Sequence, residues 1–127
     1  MTHNEIAKII VDTAFYIHKT LGPGLLESVY HEILMYELEK KGLTVQKEVP
    51  IPVIWGEKTL ELGYRADLVV EDKVIVEIKS VEKINPVHQK QLLTYLKIAD
   101  KRLGLLINFG ESLIKDGIYR VVNQLRE

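Results

Sequence analysis

Two short apolar runs joined by a polar turn constrain the fold more strongly than any other part of this chain. The runs lie at residues 64–70 and 74–79, and charged residues 71–73 separate them. Runs rich in Val and Ile with so short a connection are typical of an antiparallel hairpin. Pairing Val70 with Val74 separates the side chains cleanly, since they alternate between the two faces. The apolar face then consists of Ala66, Leu68, Val70, Val74, Val76 and Ile78.

The opposite face of this hairpin carries charges among β-branched residues. In the same register Asp67 lies directly opposite Glu77, with Cβ atoms roughly 5 Å apart, and Lys79 follows two residues along the same face. Like charges in opposed positions destabilise a sheet, so a cation is expected between them. Carboxylate oxygens are the ligands that Mg²⁺ and Ca²⁺ prefer. The hairpin therefore predicts a divalent-metal site.

Length and composition limit the class of protein. A chain of 127 residues with 46% hydrophobic and 28% charged residues predicts one globular domain spanning residues 1–127. The absence of cysteine excludes disulfides, thiolate catalysis and iron–sulfur clusters. With no long apolar run and no signal-peptide pattern at the N-terminus, we expect a cytoplasmic location. The net charge of -1 means that polyanion binding needs a local patch or a bound metal.

Three helices are predicted from apolar spacing and from capping signals. They cover residues 4–19, 25–41 and 85 to about 100, with Asn85 and Pro86 at the start of the third. For the second helix we expect the core-facing stripe to consist of Leu26, Val29, Ile33 and Tyr36.

The remaining segments have strand character. Residues 43–54 predict one strand at a sheet edge, because Pro50 and Pro52 both lack an amide donor. A turn at residues 55–58 then leads back through Leu60 and Leu62 into the hairpin. Residues 103–108 are almost wholly apolar, which is typical of a buried central strand, and residues 118–123 predict a last strand. The order of two helices, three strands, a helix and two strands indicates an α/β fold with a mixed sheet flanked by helices.

The charged cluster has the spacing of a known metal-dependent phosphodiester site. Asp67, nine residues, Glu77, one residue and Lys79 follow the pattern written PD-(D/E)xK, with Ala66 in the place of the proline. The chain resembles the GxxExxY proteins, a branch of the PD-(D/E)xK nuclease-like superfamily. The motif that names this branch is present as Gly24-Leu-Leu-Glu27-Ser-Val-Tyr30.

A second motif extends the resemblance to the third helix. Gln91-Leu-Leu-Thr-Tyr95 is similar to the QxxxY motif of RecB-like exonucleases. The resemblance covers the chain from the first helix to the last strand. It implies the restriction-endonuclease-like core and a metal-dependent nuclease acting on nucleic acid, with DNA preferred over RNA.

The resemblance also implies roles for individual residues. Asp67, Glu77 and the Ile78 carbonyl would bind Mg²⁺ or Mn²⁺, and Glu27 would be a third carboxylate, either direct or through water. Lys79 would position the attacking water or neutralise charge on the phosphate. Two further residues of the third helix, Gln91 and Tyr95, would orient Lys79 or the phosphate. Tyr30 and His88 would lie at the rim of the same cleft.

Each of these roles has a simpler alternative. The hairpin charges could form a solvent-facing ion pair, although Val69 and Ile75 on that face argue against full exposure. Glu27 in a first helical turn is favoured by the helix dipole alone. For the whole protein, the alternative to an enzyme is a non-catalytic module that binds nucleic acid or protein. A homodimer that completes the substrate site is a further possibility.

Overall fold

The computed structural model describes residues 1–61 and 63–127 and has the expected α/β organisation. The elements in chain order are α1 (His3–Leu21), α2 (Glu27–Lys40), β1 (Val45–Pro50), β2 (Val53–Trp55), β3 (Lys58–Leu60), β4 (Arg65–Val70), β5 (Val74–Lys79), α3 (Val87–Ala99), β6 (Leu103–Asn108), a 3₁₀ turn (Ile114–Gly117) and β7 (Ile118–Val122). The predicted return through Leu62 lies outside the described residues.

The described strands form a five-stranded sheet in the order β1-β4-β5-β6-β7 and a separate β2–β3 ribbon. The predicted hairpin register is confirmed, since Val70 pairs with Val74 and Leu68 with Val76. Strand β6 runs parallel to β5 and is buried along its whole length, as predicted for a central strand. The connection between these parallel strands is helix α3, as expected for a crossover.

Helices cover both faces of the sheet. One core cluster joins α1 and α2 to one face of β4, β5 and β6. A second cluster packs Leu92 and Leu96 of α3 against Val69, Ile75 and Leu106 on the other face. The mixed sheet flanked by helices is therefore confirmed. Of the helices in the described part of the chain, none combines the length and apolarity needed to cross a membrane.

The predicted core face of the second helix is wrong. Leu26, Val29 and Tyr36 are exposed, and Ile33 is only partly buried. The buried side chains of α2 are Tyr30, His31, Leu34 and Leu38. Positions 30, 34 and 38 form an i, i+4 stripe, and Tyr30 gains hydrogen bonds to the loop before the helix when its ring is inside.

The stretch predicted as one strand before the hairpin is divided in two. β1 ends at Pro50, and Ile51 and Pro52 separate it from β2, so five strands precede α3 where three were predicted. The break follows from the two prolines, each of which removes an amide donor from the ladder. The edge position predicted for Pro50 is confirmed, because β1 is the outermost strand beside β4.

Candidate functional site

The ladder between β4 and β5 opens where the two hairpin carboxylates lie. Beyond the Leu68–Val76 pair, hydrogen bonds from side chain to backbone take over. The Glu77 Oε2 atom accepts a hydrogen bond from the Asp67 amide at 3.1 Å, and Asp67 Oδ2 accepts one from the Ile78 amide at 2.7 Å. Each carboxylate is thus fixed by the backbone of the opposite strand, with one oxygen left for other contacts.

The opening changes one predicted position on the apolar face. Ala66 was expected to lie with Leu68 and Ile78, but it packs in the cluster beneath α3 with Val69 and Ile75. Regular alternation of side chains holds only while the ladder is regular, and it is interrupted at Asp67.

Asp67 is also not paired with a residue of β1, the strand on its other side. The β1–β4 partners include Lys47–Leu68 and Val49–Ala66, and Glu48, which comes between them, has a left-handed φ of 52°. The carbonyl oxygen of Asp67 instead lies 2.9 Å from His31 Nε2. Both backbone polar groups of Asp67 are therefore bonded to side chains, one on β5 and one on α2. Neither His31 nor Glu48 was identified from the sequence, because both depend on where tertiary packing interrupts the ladder.

Glu77 lies in an unfavourable electrostatic environment. Burial and the adjacent charge of Asp67 raise the pKa of Glu77 to about 9, against the opposing effect of Lys79. Burial together with the negative charge of Glu77 also raises the pKa of the Tyr95 hydroxyl. This repulsion between like charges is the feature from which the sequence predicted a divalent cation at the hairpin.

A small pocket of about 140 Å³ brings the hairpin and α3 together. Its polar lining consists of Arg65, Asp67, Glu77, Lys79, His88, Gln91 and Tyr95. The expected convergence of Gln91 and Tyr95 on the hairpin charges is therefore present in the structure. Arg65 was not identified from the sequence, although its position two residues before Asp67 places it on the same face of β4. His88 Nδ1 is buried here and has no hydrogen-bond partner among the described residues.

On the other side of Asp67 lies an open cleft of about 940 Å³ beneath the start of α2. Glu27, Glu32, Glu48, Glu82 and Asp67 supply its acidic lining. Ile78 also lines this cleft, whereas Glu77 and Lys79 line the α3-side pocket. Asp67 lines both cavities, whereas Glu27 lines only the cleft and Glu77 only the pocket.

The loop before α2 is fixed by side-chain hydrogen bonds, and this explains part of the GxxExxY pattern. The Tyr30 hydroxyl donates to the Gly22 carbonyl at 2.5 Å and accepts from the Leu25 amide at 3.2 Å. Ser80 Oγ, just after β5, donates to the Leu25 carbonyl at 2.5 Å. Gly24 has a φ of 109°, which only glycine adopts without strain. Together these contacts hold Glu27 at the cleft.

The prediction that Tyr30 lies at the rim of the cleft is wrong. Its side chain is fully buried, and its ring stacks on Phe109 with centroids 4.5 Å apart. A ring with these apolar contacts and a hydroxyl that reaches the loop has no surface left for substrate. Tyr30 therefore supports the segment that carries Glu27.

Asn108, at the end of β6, holds the loop that follows Lys79. It is fully buried, its Oδ1 accepts from the amides of Val81 and Gly110 at 3.0 Å, and its Nδ2 donates to the Val81 carbonyl at 2.9 Å. A Cβ atom at Gly110 would overlap the Val81 backbone. The signal in the sequence is a polar residue that ends an apolar strand two residues before a glycine.

The donor set at Asp67 and Glu77 fits a hard divalent cation. Within residues 1–61 and 63–127, no three carboxylate or imidazole groups are grouped so as to hold a metal ion. Mg²⁺ is commonly bound through one or two carboxylates and keeps several waters, so two free carboxylate oxygens meet that requirement. The pKa of Glu77, raised by burial beside a second carboxylate, is the local imbalance that a cation would relieve.

A mixed sheet flanked by helices, with two carboxylates and a lysine where β4 and β5 separate, defines an α/β protein with a nuclease-like core. The family model described as the PD-(D/E)XK nuclease superfamily matches residues 4–121, and the chain belongs to this family. The comparisons with curated proteins and with solved structures gave no significant match.

Proposed function

We propose that this protein is a metal-dependent nuclease that hydrolyses phosphodiester bonds of nucleic acid, with DNA as its preferred substrate. The observation that carries the proposal is the opening of the β4–β5 ladder, where Asp67, Glu77 and Lys79 meet around one pocket. Membership of the PD-(D/E)XK nuclease superfamily supports a nucleic-acid substrate. The sequence-level resemblance to the GxxExxY branch and to RecB-like exonucleases supports DNA.

Four groups are proposed to hold Mg²⁺ or Mn²⁺. The free carboxylate oxygens of Asp67 and Glu77 and the Ile78 carbonyl provide direct ligands, and Glu27 acts from the cleft side, directly or through water. A bound divalent cation lowers the pKa of a coordinated water and stabilises charge on the phosphate. Support for Glu27 comes from the Tyr30 and Ser80 hydrogen bonds that hold its loop against the same cleft as Asp67.

The other polar side chains of the α3-side pocket are proposed to handle the phosphate. Lys79 places a positive charge beside the carboxylates and would neutralise the charge that develops on the phosphate oxygens. Gln91 and Tyr95 are one helical turn apart on α3. Their hydrogen bonds would orient Lys79 or the scissile phosphate. The unpartnered His88 Nδ1 adds a further polar group at the margin of this pocket.

Cleavage assays with purified protein test the proposal. Single-stranded, duplex, branched and RNA substrates are incubated with Mg²⁺ or Mn²⁺ and with EDTA. We expect metal-dependent cleavage of DNA, abolished by Lys79→Ala and by Asp67→Asn and retained by Lys115→Ala, which removes an exposed lysine from the 3₁₀ turn. Circular dichroism verifies that each variant is folded. If every substrate stays intact with both metals, the protein is not a nuclease.

The acidic lining of the larger cleft supports one alternative, a module of the same fold that binds without cutting. Four glutamates line this cleft together with Asp67 and repel phosphate when no cation is bound, so within this alternative a protein partner is favoured over nucleic acid. Calorimetry with Mn²⁺ separates the two functions. Metal binding that is lost in Asp67→Asn and Glu77→Gln supports the enzyme, whereas nucleic-acid or protein binding without any metal affinity supports the module.

A further inference from the structure

The β2–β3 ribbon projects from the end of the sheet that carries the candidate site. The ribbon connects β1 to β4, which end in the Pro50–Arg65 pair. Beyond this pair the Ile51 amide donates to the Tyr64 carbonyl at 2.8 Å, so the pairing of β1 with β4 continues by one more residue on each strand. Arg65 lines the α3-side pocket. Trp55 follows Pro50 by five positions, so its Cα lies no more than about 17 Å from that of Pro50. A short polymer strand bound at the site can therefore reach the tip of the ribbon.

The tip exposes a large aromatic surface beside a positive charge. Trp55 is 78% exposed and contributes little to the core. It pairs directly with Lys58 across the ribbon, so both side chains lie on the same face. Val53 and Leu60 share that face and are only half-buried, which gives the ribbon a modest apolar anchor. An indole next to an ammonium group matches the two parts of a nucleotide, which are a flat base and a phosphate.

A similar pair occurs between the tip and the pocket. The Tyr64 ring is partly exposed and lies 5.5 Å from the Tyr95 ring, which lines the pocket. Arg65 follows Tyr64 directly in the chain. Tyr64 and Arg65 thus add a second aromatic and a second cationic side chain, in chain order, between the ribbon and the carboxylates, and proteins that bind single strands combine these two kinds of side chain.

We propose that the β2–β3 ribbon is a single-strand-binding arm, in which Trp55 stacks on an unpaired nucleobase and Lys58 contacts the neighbouring phosphate. The identity of the polymer rests on the proposed nuclease function. In a duplex both faces of a base are covered by its neighbours, so stacking selects an unpaired base. With a net charge of -1 the protein has little general attraction for phosphate, so contacts with the bases must supply part of the affinity.

Trp55 is the single tryptophan of the chain, so its fluorescence reports directly on this contact. The protein in EDTA, and the Lys79→Ala variant in Mg²⁺, are titrated with an oligothymidylate of about 20 nucleotides. We expect saturable quenching of the indole emission by this strand. We expect no quenching by an abasic strand of equal length and charge, or by a blunt duplex.

Affinity measured by anisotropy of a labelled strand provides the second readout. Trp55→Ala should weaken binding by about 5- to 150-fold, the effect of losing one stacked base, and Trp55→Phe should restore part of it. Tyr36→Ala is the matched control, because Tyr36 is also exposed and has Lys40 Nζ 5.3 Å from its ring centroid, but lies on α2. This control should bind like the wild type.

Quenching by the abasic strand, or unchanged affinity in Trp55→Ala, would overturn the binding arm. Absence of any binding to the oligothymidylate in both conditions would overturn it as well. Cleavage is scored separately on the same strand with Mg²⁺ or Mn²⁺. Cleavage without a Trp55 effect leaves the nuclease function standing and removes the arm. Quenching of Trp55 together with weaker binding in Trp55→Ala, in a protein that cuts nothing, leaves the arm standing and removes the nuclease function.

Discussion

Glu77→Gln should make the metal-free protein more stable at neutral pH. Because the pKa of Glu77 in the folded state is raised to about 9, from 4.5 for the ordinary carboxyl, the folded state holds a proton that the unfolded state has released. Stability of the wild type therefore falls as the pH rises between these values. Glutamine resembles the protonated acid and can still accept the Asp67 amide hydrogen bond, so it removes this dependence without breaking the contact.

The size of the effect follows from proton linkage. One proton changes the free energy of unfolding by at most about 1.4 kcal/mol per pH unit. Between about pH 5.5 and about pH 7.5 the wild type should lose up to about 3 kcal/mol relative to Glu77→Gln. Because the adjacent charge of Asp67 contributes to the raised pKa of Glu77, the full slope is an upper limit.

Urea denaturation in EDTA at a series of pH values measures this difference. Glu57→Gln, on the exposed turn of the ribbon, is the matched control and should follow the wild type. At about pH 7.5, Mn²⁺ at a hundredfold excess over its dissociation constant should raise the free energy of unfolding of the wild type by about 2.7 kcal/mol. The increase for Glu77→Gln should be smaller. Parallel pH profiles for wild type and Glu77→Gln would show that the pKa of Glu77 is not raised in the folded protein.

Three further predictions follow, two on the supports of the site and one on the contact between the two ends of the chain. Tyr30→Phe should lower the free energy of unfolding by about 1–2 kcal/mol and reduce cleavage, because its hydroxyl holds the loop before Glu27; unchanged thermal stability and activity would contradict this. Asn108→Ala leaves three partly buried backbone groups unpaired and should cost about 2–4 kcal/mol in urea denaturation; a smaller loss than in Tyr30→Phe would argue against it. Hydrogen bonding to His3 lowers the pKa of Glu127 to about 2. The wild type therefore has stability above about pH 4.5 that it loses as the pH falls towards about 2, and Glu127→Gln should remove this stability. Equal acid denaturation midpoints for the two proteins would exclude this.

The hairpin register could be predicted because a shift of one residue would have moved every apolar side chain to the wrong face. Helical spacing places Gln91 and Tyr95 on one stripe of α3, and their convergence on the hairpin was implied by the resemblance to the QxxxY motif. These are local or strictly periodic properties. They fix which residues share a face before any tertiary contact is known.

The core face of α2 could not be predicted in the same way. Two neighbouring stripes have similar hydrophobicity, and the choice between them depends on contacts with distant parts of the chain. Tyr30 is buried because Phe109 offers a stacking partner and the Gly22 carbonyl accepts its hydroxyl. His31 and Asn108 were missed for the same reason, since their partners are the Asp67 carbonyl and the Val81 backbone.

In a regular sheet the backbone of a neighbouring strand could not fix the side chain of Asp67. A carboxylate inside an intact ladder has its backbone bonded on both sides, and its side chain is held only by its neighbours on the same face. Here the ladder is interrupted towards both β1 and β5, and Glu77 and His31 take over the amide and the carbonyl of Asp67. The same break frees the Ile78 amide to fix the Asp67 side chain. Loss of regular pairing at one residue thus orients two carboxylates in a buried position, at the cost of like-charge repulsion that a divalent cation would relieve.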